Sequence, residues 1–511
     1  MKLLLLTLIL VGLPSAFAEK LQTAAETKYF KSINKVAPFK VDYAWLTPEE
    51  EKQADQDIAK SQREPSSIAA DESHMSEEFR KFRDEFLKIK AAADLNQFLV
   101  NADTHFDQFK ENDTRFFAAQ VAALRPLRGV IWKVIPVFNK SNQKMVHSFL
   151  VTIVRSIASQ MKILLPTDQW DAGFAYITQP YIEDRDQKSM GTLAARFNDE
   201  SELMGYFAGP VYDSLMQAGQ RIAAIKLKGK SMVWDNQLLY GKASFVDGLD
   251  RYRLVGELEK LNTLSAIHAT LASIAYDRAY SCEGLVSLYG KVGNLYGIDA
   301  FIKTVDGIPS TKRVAVLKSA EFDHYGRILF DGHDWMKKAL KHIQDSVRLS
   351  SDSWEKIKTS KRKPNEVYLF DTSFAETSQR TNDLRQENAK AVVAARAELR
   401  SSITGETVVF DLPNFFNFPP ADLKSFLPNH FEDGTPMIQV SLTETSGKKV
   451  DTEYRNYFVG RADGWDWNVY KLIFPELKGP EDAKKIKDYV RILNQTWGTS
   501  VLALPLVNVI E

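Results

Sequence analysis

Apolar side chains recur at helical spacing once the chain passes residue 75. Phe79, Phe82, Phe86 and Ile89 follow one another at intervals of three or four residues, so a helix would place them on one face. Ser76 precedes them, and its hydroxyl can accept hydrogen bonds from the free amides of a first helical turn. Similar spacing predicts helices over 113–124, 142–165 and 201–226. Because strand signals are few before residue 200, this part of the chain is predicted to be α-helical.

The second half of the chain mixes strand-like segments with a tetrapeptide, Asp-Gly-x-Asp, that recurs at 247–250, 331–334 and 463–466. The glycine suits a sharp turn. The second aspartate (Asp250, Asp334 or Asp466) can accept hydrogen bonds from the first amides of a following helix. The pattern predicts ββα units, each a hairpin followed by a helix. The alternative is that a common turn-and-cap device recurs by chance.

Three further patterns concern the C-terminal part of the chain. Residues 378–402 are rich in Ala, Arg and Glu, with apolar residues at helical spacing, and are predicted to form a helix. The aromatic segment Asn414–Pro420 cannot be helical through its two prolines. The basic, proline-interrupted segment 359–365 is predicted to be a domain boundary.

These patterns predict a mainly α fold with minor β, an α+β class in which an N-terminal helical domain is followed by ββα hairpin-helix units. A chain of 511 residues is too long for one core. The predicted divisions are a signal peptide over 1–18, an irregular segment and linker with one helix over 19–75, a helical domain over 76–200, a helical domain with two hairpin-helix units over 201–360, and a C-terminal α+β domain over 361–511.

The first residues are typical of a secretory signal peptide. Lys2 is followed by an apolar run over Leu3–Leu13, and Ala16-Phe17-Ala18 fits the small-x-small pattern of a cleavage site. We expect cleavage after Ala18 and a periplasmic or extracellular product; the alternative is an uncleaved anchor. No later stretch reaches the roughly 18 apolar residues of a membrane helix, so no integral membrane anchor is expected.

Charge and cysteine content narrow the classes of partner. Lys plus Arg and Asp plus Glu both number 66, a balance that gives no basic footprint for nucleic acid. Cys282 is the single cysteine, so the chain cannot form an internal disulfide. We interpret it as a buried, inert thiol on a helix, with a catalytic nucleophile as the alternative.

Candidate metal ligands cluster around the second tetrapeptide. Asp323, His324, Asp331 and His333 are the predicted set, with Asp334 beside them, and imidazole and carboxylate groups suit zinc- or manganese-type ions. The competing interpretation is structural, since Asp331 and Asp334 already serve the predicted turn and cap.

Three tryptophans lie beside tetrapeptide carboxylates: Trp335, Trp465 and Trp467. Exposed aromatic faces next to carboxylates suit stacking on sugars, so they are candidate ligand-binding residues for cell-wall glycan. Packing of the same rings onto a neighbouring hairpin is the alternative. His268 lies among small apolar residues and is predicted to be a satisfied core histidine.

No pattern in the chain assembles a catalytic or cofactor site. Gly-x-Ser-x-Gly, His-Glu-x-x-His and phosphate-binding glycine loops do not occur, and no cofactor is predicted. The leading hypothesis is an exported, non-enzymatic protein that binds an envelope protein or cell-wall glycan. The alternative is a hydrolase acting on peptidoglycan or another polysaccharide through paired carboxylates. A third hypothesis is a carrier of an apolar ligand.

Overall fold

The computed structural model describes residues 72–139, 169–183, 192–240, 251–288, 318–359, 390, 393–400, 406–426, 438–443, 449–454, 465–486, 488, 489 and 492. Several predictions lie outside these residues: the signal peptide, the helix in the N-terminal segment, the helix over 142–165, the tetrapeptide at 247–250 and most of the boundary at 359–365.

Helices dominate the described residues. In chain order they are α1 (Glu77–Phe86), α2 (Ala92–Thr104), α3 (Asn112–Ala122), α4 (Val130–Asn139), α5 (Trp170–Thr178), α6 (Glu200–Tyr206), α7 (Tyr212–Ala223), α8 (Gln237–Tyr240), α9 (Glu257–Ala279), α10 (Gly332–Thr359), α11 (Leu412–Asn417) and α12 (Trp467–Tyr470). A π-helical turn over Phe207–Val211 joins α6 to α7 and contains Pro210. The predicted helix over 201–226 is therefore continuous but locally widened.

Strands in the described residues are short and form two-stranded antiparallel sheets. The pairs are β1 (Ile182–Glu183) with β2 (Thr192–Leu193), β3 (Met232–Asp235) with β4 (Tyr252–Val255), β5 (Ala397–Arg400) with β6 (Thr407–Phe410), and β7 (Ile438–Thr443) with β8 (Lys449–Tyr454). The mainly α fold with minor β is confirmed. Among the described residues, none of the helices combines the length and the apolar character that crossing a membrane requires.

The first predicted helix is confirmed over Glu77–Phe86 with the predicted cap, whereas Ile89, expected on the same face, is buried beyond the end of the helix. The Ser76 hydroxyl accepts a hydrogen bond from the Phe79 amide at 3.0 Å. Phe79, Phe82 and Phe86 are buried, and the ring centroids of Phe86 and Phe117 are 5.2 Å apart in an edge-to-face arrangement. This aromatic packing fixes α1 against α3, so the apolar stripe in the sequence does become one buried face.

The repeated hairpin-helix unit is not confirmed. Residues 325–330 contain only isolated bridges, at Arg327 and Ile328, and no strand. Helix α10 begins at Gly332, and the Asp331 carbonyl accepts from the Trp335 amide, so Asp334 lies inside the first turn and is not the cap. The Asp331 carboxylate accepts from Arg278 of α9 at 3.0 Å and is therefore occupied by an interhelical contact.

The other two copies differ from each other. Helix α9 has Gly256 at its N-cap, after strand β4, so the predicted cap at Asp250 is wrong for this helix. The third prediction is correct at its cap, because the Asp466 carboxylate accepts from the Asn468 amide at the start of α12. Among the described residues, the predicted cap is therefore found only at Asp466.

The predicted helix over 378–402 is wrong at its C-terminal end. Arg396 adopts a left-handed conformation with φ of 56°, which ends helical structure. Residues 397–400 then form β5, and Leu399 is fully buried opposite Val408. Tertiary pairing overrides the local helical spacing here. The prolines do stop a helix as predicted, since α11 ends at Asn417.

Two large groups of buried apolar side chains form the interior of the described residues. The first runs from Met75 to Leu264 and includes Leu349. The second runs from Ala275 to Ile492 and includes Met336. Helices α9 and α10 contribute to both groups, so this helix pair connects them. The predicted domain divisions stay predictions.

Candidate functional site

Helices α9 and α10 are joined by a series of polar contacts along one line. Asn262 donates to the Ser353 hydroxyl at 2.8 Å, and the Ser265 hydroxyl donates to the Ser346 carbonyl at 2.7 Å. Small polar side chains let the two helix backbones approach closely while satisfying buried hydrogen-bonding groups. The next contact along this line joins two imidazoles.

His268 of α9 and His342 of α10 form a buried pair. Their Nδ1 atoms are 2.8 Å apart, and the side chains are 0% and 7% exposed. A hydrogen bond between two ring nitrogens needs one proton on one of them and a lone pair on the other. The pair therefore has one shared proton between the two Nδ1 atoms.

Tyr212, at the start of α7, extends the pair toward the surface. Its hydroxyl lies 2.7 Å from His342 Nε2, and the side chain is half-buried. The Tyr212 ring meets the Trp335 ring edge-on, with centroids 5.4 Å apart. A line of hydrogen bonds thus runs from a surface aromatic pair, through His342, to the buried His268.

Asp345 lies at the inner end of this line. It is fully buried on α10, with one carboxylate oxygen 3.9 Å from His268 Nδ1. Lys341 approaches the other oxygen at 3.2 Å, and Arg348 lies at 3.9 Å from it. Two cations on the same helix therefore already compensate the carboxylate, which stabilises it in the interior.

Burial is the main cause of the pKa shifts of His268, His342 and Tyr212. Desolvation, followed by the neighbouring His342 and Lys341, lowers the pKa of His268 to about 3. Desolvation, followed by Lys341 and Lys338, lowers the pKa of His342 to about 4. Burial also raises the pKa of Tyr212. Both imidazoles are therefore neutral near pH 7, and the phenol is protonated.

Neutral imidazoles leave two arrangements of the shared proton. If His342 carries it on Nδ1, its Nε2 accepts from the Tyr212 hydroxyl. If His268 carries it, His342 donates from Nε2 to the Tyr212 oxygen. The site can therefore switch its hydrogen-bond direction without any change in net charge.

The predicted metal ligands are placed mainly at the surface. Asp323 pairs with Arg327, and Asp331 accepts from Arg278 and from the Trp335 indole, each at 3.0 Å. His324 and His333 are exposed. The described residues include no group of three or more His, Cys, Asp or Glu side chains arranged to hold a metal ion. The metal prediction gains no support from this geometry.

The predicted sugar-stacking tryptophans differ in exposure. Trp465 is 4% exposed and packs edge-on against Tyr470, so its faces are covered. Trp335 and Trp467 are half-buried against the second core. The Lys338 ammonium lies 4.0 Å from the centroid of the Trp335 ring. Cations and neighbouring aromatics therefore already occupy part of the surface expected to bind sugar.

The two large hydrophobic side chains that stand out at the described surface are Phe330, 107% exposed, and Phe418, 65% exposed. They lie on segments that are joined by backbone hydrogen bonds. The Ile328 amide donates to the Ala421 carbonyl at 2.8 Å, and Arg327 and Asp422 form an antiparallel bridge. We call these two exposed side chains, which lie on hydrogen-bonded segments, the phenylalanine surface.

Sequence reasoning found part of this site. His268 was expected in the core, and it is buried. His342 and Tyr212 were missed. The signal available for His342 was its position in α10, six residues after Met336 and three before Asp345. Nothing in the neighbouring sequence shows that it faces His268. The exposure of Phe330 was also missed, because the residues before the second tetrapeptide are predicted to form a hairpin strand.

Comparison with known proteins adds no family. No known family model matches the chain, and no curated protein or solved structure is significantly similar to it. Its function is therefore inferred from its own side chains and their geometry.

Proposed function

We propose that this chain is an exported, non-enzymatic binding protein that engages a protein of the cell envelope through the phenylalanine surface. Export is supported by the apolar run over Leu3–Leu13 and the small residues around Ala18. The single observation that carries the binding proposal is the exposure of Phe330 together with Phe418.

Exposure of these two rings has a thermodynamic consequence. Burying a phenylalanine side chain is worth about 1.5–3 kcal/mol relative to leaving it in water. The fold gains little of this at Phe330, which is fully exposed. A partner that covers both rings would gain it, and aromatic side chains are enriched at the centres of protein interfaces.

The segments next to these two rings are joined by hydrogen bonds. The Leu423 amide donates to the Gly326 carbonyl at 2.9 Å, and Lys424 Nζ donates to the carbonyls of Phe322 and Asp323 at 2.7 and 2.9 Å. Gly326 has a φ of 79°, a conformation that glycine adopts without strain. A preorganised surface loses little conformational entropy on binding, which favours affinity.

A protein partner fits this surface better than a glycan. Phenyl rings carry no polar group to hydrogen-bond sugar hydroxyls. Trp465, the most buried of the predicted stacking residues, is covered by the fold itself and cannot stack on a sugar. We therefore assign the phenylalanine surface to an apolar pocket on an envelope protein.

The test compares the purified wild type with the double variant Phe330→Ser/Phe418→Ser. Both are immobilised and incubated with a detergent-solubilised envelope fraction, and bound proteins are crosslinked and identified. The matched control is His333→Ser, an exposed ring close in sequence to Phe330. We expect a specific protein to be retained by the wild type and the control and lost from the double variant, with unchanged thermal unfolding.

Incubation with purified cell-wall sacculi distinguishes the alternatives. Co-sedimentation that is unaffected by the double substitution would assign the protein to glycan and reject the phenylalanine surface. Release of soluble fragments, abolished by His333→Ala with the fold intact by circular dichroism, would contradict the non-enzymatic proposal altogether.

A further inference from the structure

The trio of Tyr212, His342 and His268 joins helices α7, α10 and α9 at one buried point. The Tyr212 hydroxyl lies 2.7 Å from His342 Nε2, and the two Nδ1 atoms are 2.8 Å apart. We propose that this trio is an acid-sensitive latch, which holds α7 and α9 against α10 while both imidazoles are neutral and releases them when both are protonated.

The geometry tolerates one proton between the imidazoles and not two. If both Nδ1 atoms carry hydrogen, two N–H donors point at each other across 2.8 Å and the hydrogen bond is lost. Protonation of His342 also makes Nε2 a permanent donor, so its hydrogen bond with Tyr212 can form in one direction only. Two positive charges would then face each other in an apolar interior, where repulsion is strong.

The surrounding charges compensate protonation only in part, although one Asp345 oxygen lies 3.9 Å from His268 Nδ1. Helix α10 presents Lys338, Lys341, Asp345 and Arg348 around the pair, and the carboxylate of Asp345 is already approached by Lys341 and Arg348. Helix α7 presents Tyr212 and, near it, Asp213, which is exposed to solvent. On α9, the neighbouring residues toward α10 are the uncharged Asn262 and Ser265. A doubly protonated pair therefore has an excess of cations around it.

The remaining contacts at this point are apolar. Ala208 and Val211 of the π-helical turn pack on Ile274 of α9, with Tyr212 and Trp335 beside them. Apolar contacts and one tyrosine hydrogen bond hold α7 here. Apolar contacts are not directional, so they do not hold the helix in one orientation once the imidazoles repel each other. Because Arg221 of α7 pairs with Asp103 at 2.7 Å farther along the helix, release should begin at the N-terminal turn of α7. Release does not depend on the binding role proposed for the phenylalanine surface.

The experiment is hydrogen exchange of the full mature chain at pH 7 and pH 4, with protection factors corrected for the intrinsic effect of pH. We expect protection in α7 and in the facing turns of α9 and α10 to fall at least about tenfold at pH 4. Protection in α1, which lies in the aromatic core, should stay within about threefold. Equal loss in α1 would mean global acid unfolding and would overturn the latch.

Variants separate the latch from other titrating groups. His268→Asn keeps a hydrogen-bonding group near Nδ1 and removes one of the two titrating imidazoles, so its α7 protection should fall clearly less between pH 7 and pH 4 than that of the wild type. His333→Asn removes an imidazole from an exposed position and should behave as the wild type. If His268→Asn loses protection at pH 4 as the wild type does, the proposal is wrong.

A measurement on the wild type covers the case in which His268→Asn does not fold. The chain has eight histidines, so selective ¹³C labelling at imidazole Cε1 gives few NMR signals. Two of them should stay neutral until far lower pH than the exposed ones and should titrate together with the loss of α7 protection. Titration of all eight near pH 6.5 would overturn the proposal.

Discussion

Asp235 lies fully buried at the end of β3 and accepts hydrogen bonds from two arginines. Arg83 Nη1 is 3.1 Å away and Arg251 Nη2 is 2.9 Å away, and the Gln237 amide donates to the second carboxylate oxygen at 2.9 Å. Arg83 also binds Glu72 at 2.7 Å, which ties the first described residues to the sheet. A buried charge is tolerated because each of its partners is satisfied.

Asp235→Asn should therefore destabilise the protein by about 3 kcal/mol, because it removes the one fully buried carboxylate among the three that pair with Arg83. Urea unfolding followed by circular dichroism measures the change. The control is Glu77→Gln, which removes an exposed pair with Lys81 and should leave the midpoint unchanged. Equal effects of both substitutions would show that the network at Asp235 contributes nothing specific.

His342 makes a prediction about pH. Its pKa falls from the ordinary 6.5 to about 4 on folding, so the unfolded chain takes up a proton first as the pH decreases. Stability is complete above pH 6.5 and is lost between pH 6.5 and 4, by about 3 kcal/mol at this residue. The free energy of unfolding, measured in urea at steps of pH, should show this slope. In His342→Gln the slope should be smaller by one proton; an unchanged slope would place the uptake elsewhere.

The start of α10 depends on how closely it approaches the end of α9. A Cβ atom at Gly332 would overlap the carbonyl oxygen of Ala279 and the side chain of Ile328. The Leu329 amide donates to that same carbonyl at 2.9 Å, so the helix end cannot move away without losing the bond. Glycine here serves close approach and not a left-handed turn.

Gly332→Ala should thus destabilise the protein by about 2 kcal/mol or more, since backbone atoms must shift. Gly205→Ala is the matched control, because nothing lies within 4 Å of a Cβ there and the residue is inside helix α6. That substitution should stabilise by about 0.5–1 kcal/mol. Thermal unfolding of both variants is the measurement, and shifts of the same sign would refute the close-approach explanation.

Cys282, the single cysteine, contacts a part of the chain that is distant in sequence. Cys282 lies beyond the end of α9, so the expected placement on a helix is wrong, and its Sγ donates to the Glu200 carbonyl of α6 at 3.3 Å. Burial, followed by Glu200, raises the pKa of the Cys282 thiol to about 12. The thiol is half-buried, which is close to the inert group that the sequence predicted.

Labelling of native protein with a disulfide reagent at pH 8 should accordingly be at least about tenfold slower than labelling in urea, because the reactive thiolate is scarce. The urea-unfolded chain provides the control, since it exposes the same thiol without the fold. Rapid labelling of the native protein would show that the contact between Cys282 and Glu200 does not protect it.

Features that depend on near neighbours could be predicted from the sequence. Helical spacing of phenylalanines defined α1, Ser76 and Asp466 capped the helices that follow them, and the prolines after Phe418 ended α11. Each of these results from contacts within about one helical turn, so local propensity decides them.

The strand at 397–400, the start of α10 and the histidine pair could not be predicted, because they depend on contacts between residues far apart in the chain. Residues 397–400 became a strand through pairing with 407–410, and α10 begins at Gly332, before the predicted cap at Asp334. His268 and His342 are 74 positions apart, and no pattern in the chain shows that their rings meet. The buried pair exists because two helices pack face to face, which sequence spacing does not specify.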